Sequence, residues 1–502
     1  MQALTIFGVL ASFVVLQINF GYSKNYVQEV FKWKRIEYEN LPLPDNTLIG
    51  PYKYHIPENN DLVSIGYHPA SGLMLVNIFR CRPGVPITVG AFCVKNYKYG
   101  SSPKIWGFPN YELNTLQASD YAGGNEDDLS QREFYNKNYF KREGNYYAKG
   151  GHYYTDYYEY YNFKPNYLRA SLSSLSQPVG HKRIISALHT VIDEKCSRVF
   201  LLDNGVLQFY PNTTYNVQKP ALVEISLPSD GCENKNFPIT RRSEVPDRIS
   251  SKGSNGFMYM TMDFQTEGSC DDLFLYITNP FNSYLVVYDY RKDKFWAFDH
   301  ETFKPVISES HFVFDNLHLD MPLGVMSMAL GYPDEDGDRT AYYLPFASTA
   351  QYAVSTKILK NSKLSPNKFN QDSFKIMGYR GCGHEVDKMA IDYTYGVIFF
   401  VEIRSKEVRC WNINKPLNPD NIGVVYKSDK TFFYSQMFID SRGYLWFHSS
   451  HVPIEFLTLQ PLNLQEVNSR SFRVKVSDAI KGTVCDDSDQ SRMFDWFDFY
   501  KK

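Results

Sequence analysis

From residue 62 onward the chain repeats one pattern: a short apolar run, a turn rich in Gly, Asn or Asp, then another short run. Residues 73–79 lead into Arg82-Pro83-Gly84, and residues 199–203 stop at Asn204-Gly205. Residues 273–278 meet Asn279-Pro280 and resume at 284–290; the stretches 341–346, 396–403 and 443–447 continue the series. Runs rich in β-branched and aromatic residues, bounded by such turns, read as strands. The six runs centre near residues 75, 203, 279, 346, 402 and 448. The later ones lie about 45–75 residues apart, which suits blades of about 40–50 residues plus loops. The expectation is an all-β chain folded as a six-bladed β-propeller, in which each blade shields its neighbours' faces. Helical periodicity is scarce, its best short stretch lying around Trp496.

Two segments break the pattern. The interval between the first two runs is far too long for one blade, and most of the excess is residues 121–168, with 12 tyrosines in 48 residues and no Val or Ile. Such a segment builds no packed core and reads as a long exposed insertion between the first two blades. Closely spaced phenols on one segment suit oxidative coupling into an extracellular matrix, because tethering raises their effective concentration. At the N-terminus, residues 3–20 are apolar and uncharged, and Gly21-Tyr22-Ser23 precedes Lys24. That arrangement reads as a signal peptide over residues 1–23, with a membrane anchor as the alternative. The expected organisation is therefore a signal peptide, a propeller over residues 24–485 and a C-terminal tail over 486–502.

Composition narrows the function classes. The formal charge of −2 offers no basic footprint for nucleic acid or for an anionic membrane surface. With 43% hydrophobic residues the chain can bury a large core, and its 39 Tyr and 36 Phe favour pleated, half-buried surfaces. Eight cysteines without a C-x-x-C spacing read as disulfides of a secreted protein, and spacing alone does not choose among the pairings. Asn212-Thr213-Thr214 is an N-glycosylation sequon, and in a secreted chain Asn212 is the expected glycosylation site.

Standard catalytic signatures are missing: there is no G-x-S-x-G, H-E-x-x-H, Walker A or G-x-G-x-x-G. His384-Glu385-Val386-Asp387 has the wrong spacing for a helical metal pair, and 334–338 reads as a solvated hairpin turn rather than a calcium loop. No cofactor is expected. His181, His189, His300, His311, His318 and His384 are scattered, whereas His448-Ser449-Ser450-His451 is a denser polar cluster directly after an apolar strand. Strand ends of a propeller line the channel mouths, so this cluster is the candidate binding element.

Several stretches together resemble the insect Yellow/major royal jelly protein family. They are Phe79-Arg80-Cys81-Arg82-Pro83-Gly84-Val85-Pro86-Ile87-Thr88, Pro109-Asn110-Tyr111-Glu112-Leu113-Asn114 and the segment from Ile192-Asp193-Glu194-Lys195-Cys196 to Asp203-Asn204-Gly205. Leu285-Val286-Val287-Tyr288-Asp289 with Lys294-Phe295-Trp296, residues 342–349, Cys410-Trp411-Asn412 and Gly443-Tyr444-Leu445-Trp446 follow in the family's order. The resemblance implies a secreted six-bladed propeller. Its members act in cuticle melanisation, eggshells, royal jelly and sand-fly saliva, and some are credited with dopachrome conversion. Implied partners are a small catecholamine or indoleamine ligand and cuticle or eggshell matrix proteins. The implied ligand residues are Ser450, standing where family amine binders carry Asn, and its neighbour Ser435; His451, from the polar cluster above, completes the candidate ligand set. A family cysteine is missing near Gln218-Lys219-Pro220, so Cys196 either pairs with Cys270 or stays free. The expected role is non-catalytic, in cuticle or eggshell formation, pigmentation or hardening. The alternatives are amine binding and dopachrome conversion, the latter needing a base such as His448 or His451.

Overall fold

The computed structural model describes residues 26–121, 183–209, 213–250, 256–266, 268–314, 317–453 and 460–487. The signal segment, the tyrosine-rich segment beyond Tyr121, Asn212 and the region of Trp496 lie outside these residues. Six four-stranded antiparallel sheets are arranged as the blades of a propeller. Blade 1 holds Leu62–His68, Leu73–Ile78, Val89–Cys93 and Trp106–Gly107. Blade 2 holds Ala187–Asp193, Arg198–Asp203, Ala221–Ser226 and Ile239–Glu244. Blade 3 holds Tyr259–Phe264, Leu273–Asn279, Tyr284–Asp289 and Lys294–Asp299. Blade 4 holds Val325–Pro333, Arg339–Pro345, Ala350–Ser355 and Lys375–Tyr379. Blade 5 holds Val386–Asp392, Val397–Glu402, Glu407–Asn412 and Ile422–Lys427. In blade 6, Phe433–Ile439, Tyr444–Ser450 and Ser469–Lys475 are completed by the N-terminal strand Gln28–Trp33, which pairs with Ser469–Lys475. The two ends of the propeller chain thus share one sheet and close the ring.

The six runs legible in the sequence are the second strands of the six blades. These strands lie between the neighbouring blades' faces, and every residue in them is buried apart from the first two of Arg339–Pro345 and the first of Tyr444–Ser450. That sandwiching is why they are continuously apolar instead of alternating. Asn204-Gly205 is the corner at which the chain leaves blade 2 for a small hairpin, Val206–Phe209 with Thr213–Asn216. Gly205 has φ +70°, and a Cβ there would stand 2.1 Å from the Gln218 carbonyl oxygen, so only glycine fits.

Disulfides staple successive parts of the ring. Cys93–Cys232 ties blade 1 to blade 2, Cys196–Cys270 ties blade 2 to blade 3, and Cys410–Cys485 ties blade 5 to the C-terminal segment. The reading of all eight cysteines as disulfides is corrected: Cys81 is a buried thiol and Cys382 an exposed one. The chain leaves blade 1 at Tyr121, which packs against Tyr52 and Tyr215, and returns at Arg183. Arg183 grips the buried Asp120 carboxylate with both terminal nitrogens, and Ile184 N–H donates to the Leu113 carbonyl at 2.8 Å. Arg80, from the first family-like motif, is wholly buried and donates to the carbonyls of Val85, Ile184, Ile185, Pro86 and Asn114. It joins the two flanks of the tyrosine-rich segment to blade 1.

Candidate functional site in the central channel

The first strand of each blade lines the axis. Five of these six strands break register close to where they begin: between Leu62 and Ser64, Ala187 and Thr190, Val325 and Ser327, Val386 and Met389, and Tyr434 and Gln436. A bulge sets extra residues against one partner and re-aims their side chains. The residues released in this way include His189, Asp387, Lys388 and Ser435. Asp387 and Lys388 are consecutive, and only the bulge lets both serve one site.

Contacts between blades that are not neighbours place these side chains on the axis. The Tyr259 hydroxyl of blade 3 donates to the Met389 carbonyl of blade 5 at 3.4 Å, bypassing blade 4. The Lys388 ammonium of blade 5 lies 5.8 Å from the Tyr259 ring centroid. It also acts electrostatically on His189 of blade 2, on the opposite side of the ring. The His189 and Tyr259 rings pack at 4.3 Å. Ser327 of blade 4 completes the arc, its hydroxyl accepting from Met389 N–H at 3.0 Å.

The cluster is charged, enclosed and only partly satisfied. His189, Tyr259, Asp387 and Lys388 are each less than a tenth exposed. Lys388 Nζ donates to Asp387 Oδ1 at 2.6 Å, which leaves the ammonium two further donors and Asp387 its second oxygen. His189 Nδ1 accepts from Met260 N–H at 3.3 Å, so the neutral ring carries its proton on Nε2. Among the described residues, that Nε2–H has no hydrogen-bond partner. Burial, with help from Lys388, holds the His189 pKa down at about 3, so the ring is neutral at any physiological pH. Burial pushes the Asp387 carboxyl up against the opposing pull of Lys388, and pushes the Tyr259 hydroxyl up to about 12. The site therefore offers a carboxylate of raised basicity, a cation and a neutral N–H donor around an aromatic face.

The residues expected from sequence fall beside this cluster, at the same end of the channel. Ser435 and Ser450 do come together, the Ser450 hydroxyl donating to Ser435 Oγ at 3.2 Å. His451 stacks on Phe432 at 4.7 Å and donates through Nδ1 to the Asn468 carbonyl. The suggestion of His448 as a base is corrected by its surroundings. It is wholly buried between blades 6 and 1, with Nε2–H donating to the Leu62 carbonyl at 3.1 Å and Nδ1 facing the Ser471 hydroxyl at 3.0 Å. Burial lowers its pKa to about 4, and both nitrogens are committed to the seam. Asp61 sits at the same joint, accepting from Ser469 Oγ at 2.9 Å and His451 N–H at 3.0 Å.

Above the channel mouth lies a hairpin from the connection between blades 3 and 4, His311–Phe314 with Leu317–Asp320. Its Phe314 packs on Phe432 and Phe433, at the start of blade 6, with ring centroids 5.6 and 6.1 Å away. Phe312, Leu319 and Met326 extend the apolar cover. Among the described residues no group of three or more His, Cys, Asp or Glu is arranged to hold a metal ion, and no helix is long and apolar enough to cross a membrane. Asp334 accepts from the Asp336 and Asp338 N–H groups, as a hairpin turn requires.

The sequence matches the family model described as major royal jelly protein over residues 185–485. It is 35% identical over 317 residues to Yellow-related salivary protein SP03 of Phlebotomus perniciosus, covering 62% of this chain and 77% of that protein. It is 33% identical over 307 residues to Yellow-related salivary protein M35 of Phlebotomus duboscqi, covering 60% and 73%. To L-dopachrome tautomerase yellow-f of Drosophila melanogaster it is 26% identical over 487 residues, covering 91% of this chain and 94% of that protein.

Proposed function

Because the chain belongs to the major royal jelly protein family of Yellow-related proteins, we propose that it is a secreted protein of pigmentation or hardening chemistry. In this reading it holds a tyrosine-derived quinone of the dopachrome type in its central channel and speeds its tautomerisation. The observation that carries the reading is the cross-channel cluster of His189, Tyr259, Asp387 and Lys388, a buried ion pair with unused donors and an unused acceptor. Tautomerisation of such a quinone needs a base for a ring C–H proton and a donor where negative charge develops on oxygen. Asp387, made more basic by burial, serves as the base, and the neutral His189 Nε2–H as the donor. The end-to-end similarity to L-dopachrome tautomerase yellow-f supports the same assignment. Three disulfides and the salivary relatives support secretion.

Purified protein is expected to shorten the lifetime of dopachrome's visible absorbance in proportion to its concentration. Decay at the spontaneous rate over a wide range of protein concentration would overturn the assignment. Binding of a bare amine is the less favoured reading, because the Ser435 and Ser450 hydroxyls already bond each other and Lys388 places a cation in the channel. A matrix role in cuticle or eggshell is compatible with the enzyme reading. Its support is the 12 tyrosines of residues 121–168, and dityrosine in those peptides after mild oxidation is its expected signature.

A further inference from the structure

We propose that the channel selects ligands that keep the carboxylate of their parent amino acid, and that Lys388 is the residue that reads it. The proposal deepens the preceding one and rests on it. Asp387 and Lys388 form a neutral pair, so the channel has no net attraction for a simple cation or a simple anion. What the pair lacks is set by its unused atoms: two N–H groups on Lys388 and one oxygen on Asp387. None of these atoms is sealed off without a partner, so they face the channel and are open to a ligand's polar groups.

A zwitterionic head group repairs both halves at once. Its carboxylate accepts from Lys388, and in an open-chain amino acid its ammonium donates to the free oxygen of Asp387; in a cyclised quinone the nitrogen is an uncharged part of the ring, and the same oxygen is left for the ring C–H proton. The attached ring then meets the face made by Tyr259 and His189, whose rings pack at 4.3 Å. A decarboxylated amine satisfies Asp387 but sets its own positive charge against the Lys388 ammonium with nothing to neutralise it. The surrounding channel groups add no charge of their own. His189 is neutral, and Tyr259, Ser327, Ser435 and Gln436 carry none at neutral pH. One charge-assisted hydrogen bond gained or lost in such a setting corresponds to at least ~10-fold in affinity. The order of preference therefore turns on a single side chain.

The proposal is tested by titration calorimetry of the full secreted protein with two pairs that differ only in the carboxylate, L-tyrosine against tyramine and L-dopa against dopamine. Wild type is expected to favour the amino acid of each pair by ~10-fold or more. Lys388→Met should abolish that preference. Removing one partner strands the other charge, so the double variant Asp387→Asn/Lys388→Met, neutral and of similar volume, is measured beside it and should also show none. Equal or tighter binding of the amines by wild type would overturn the proposal, as would a preference that survives in both variants. Binding of neither member of either pair would instead strike the channel reading on which the proposal rests.

Discussion

Replacing Asp61 with Asn tests whether the seam that closes the ring is as buried as the structure makes it. Asp61 accepts from Ser469 Oγ and from the backbone of His451, and burial nevertheless pushes its pKa from 3.8 to about 7. With the folded value raised, the folded protein keeps a proton that the unfolded chain releases, so stability is lost as pH climbs from about 4 to about 7. A rise of that size corresponds to about 4 kcal/mol. Asn keeps the shape and never ionises, but it replaces one acceptor oxygen with a donor, a constant loss of about 1 kcal/mol. The variant should thus be about as stable as wild type near pH 4.5 and more stable by about 3 kcal/mol at about pH 8. His448 and His189 titrate with the opposite sign. Their depressed values of about 4 and about 3 withdraw stability as pH falls below about 6.5, equally in both proteins, so they cancel in the difference. Urea unfolding with the disulfides intact, run from about pH 4.5 to about 8.5, gives that difference directly. A gap between the two proteins that does not change with pH would show that Asp61 ionises normally and that the seam is solvated.

Three other substitutions probe separate parts of the molecule. Cys196→Ser with Cys270→Ser opens a closure spanning 74 residues. Chain entropy for such a loop sets an upper loss of about 4 kcal/mol, to be read as a lower Tm with an unchanged far-ultraviolet spectrum. Arg80→Met strands five carbonyl acceptors and should cost about 3 kcal/mol or more, with faster proteolysis between residues 121 and 183 as the local signature. Phe314→Ala thins the cover over Phe432 and Phe433 and should raise the association rate of channel ligands in stopped-flow mixing, with a Tm lowered by a few degrees because the side chain is buried.

The architecture was legible because a propeller repeats its strongest signal. The second strand of each blade is sandwiched, hence continuously apolar, and those six runs mark the blades without any tertiary information. Outer strands are faint by contrast: Trp106–Gly107 is two residues long, and Lys375–Tyr379 is almost wholly exposed. The site was less legible for a different reason. Ser435 and Ser450 could be placed near a channel mouth, and the structure brings them into contact. Asp387 and Lys388 did not read as one site, because adjacent residues of an ideal strand point to opposite faces and only a bulge unites them. His189 stood among scattered histidines, and its partners come from blades 3 and 5, far away in sequence. His448 misled because a histidine after an apolar strand looks available until the neighbouring blade covers it. The one trace of the site in the sequence was a polar pair inside the otherwise apolar stretch 386–391.

A crystal structure of the disulfide-intact protein grown with L-dopa under an oxygen-free atmosphere would decide whether the cross-channel cluster is the ligand site. The expected result is ordered ligand density on the channel axis, its carboxylate on Lys388, its amine on the free oxygen of Asp387 and its ring beside Tyr259 and His189. Ligand bound elsewhere, with the Asp387–Lys388 pair untouched, would contradict it.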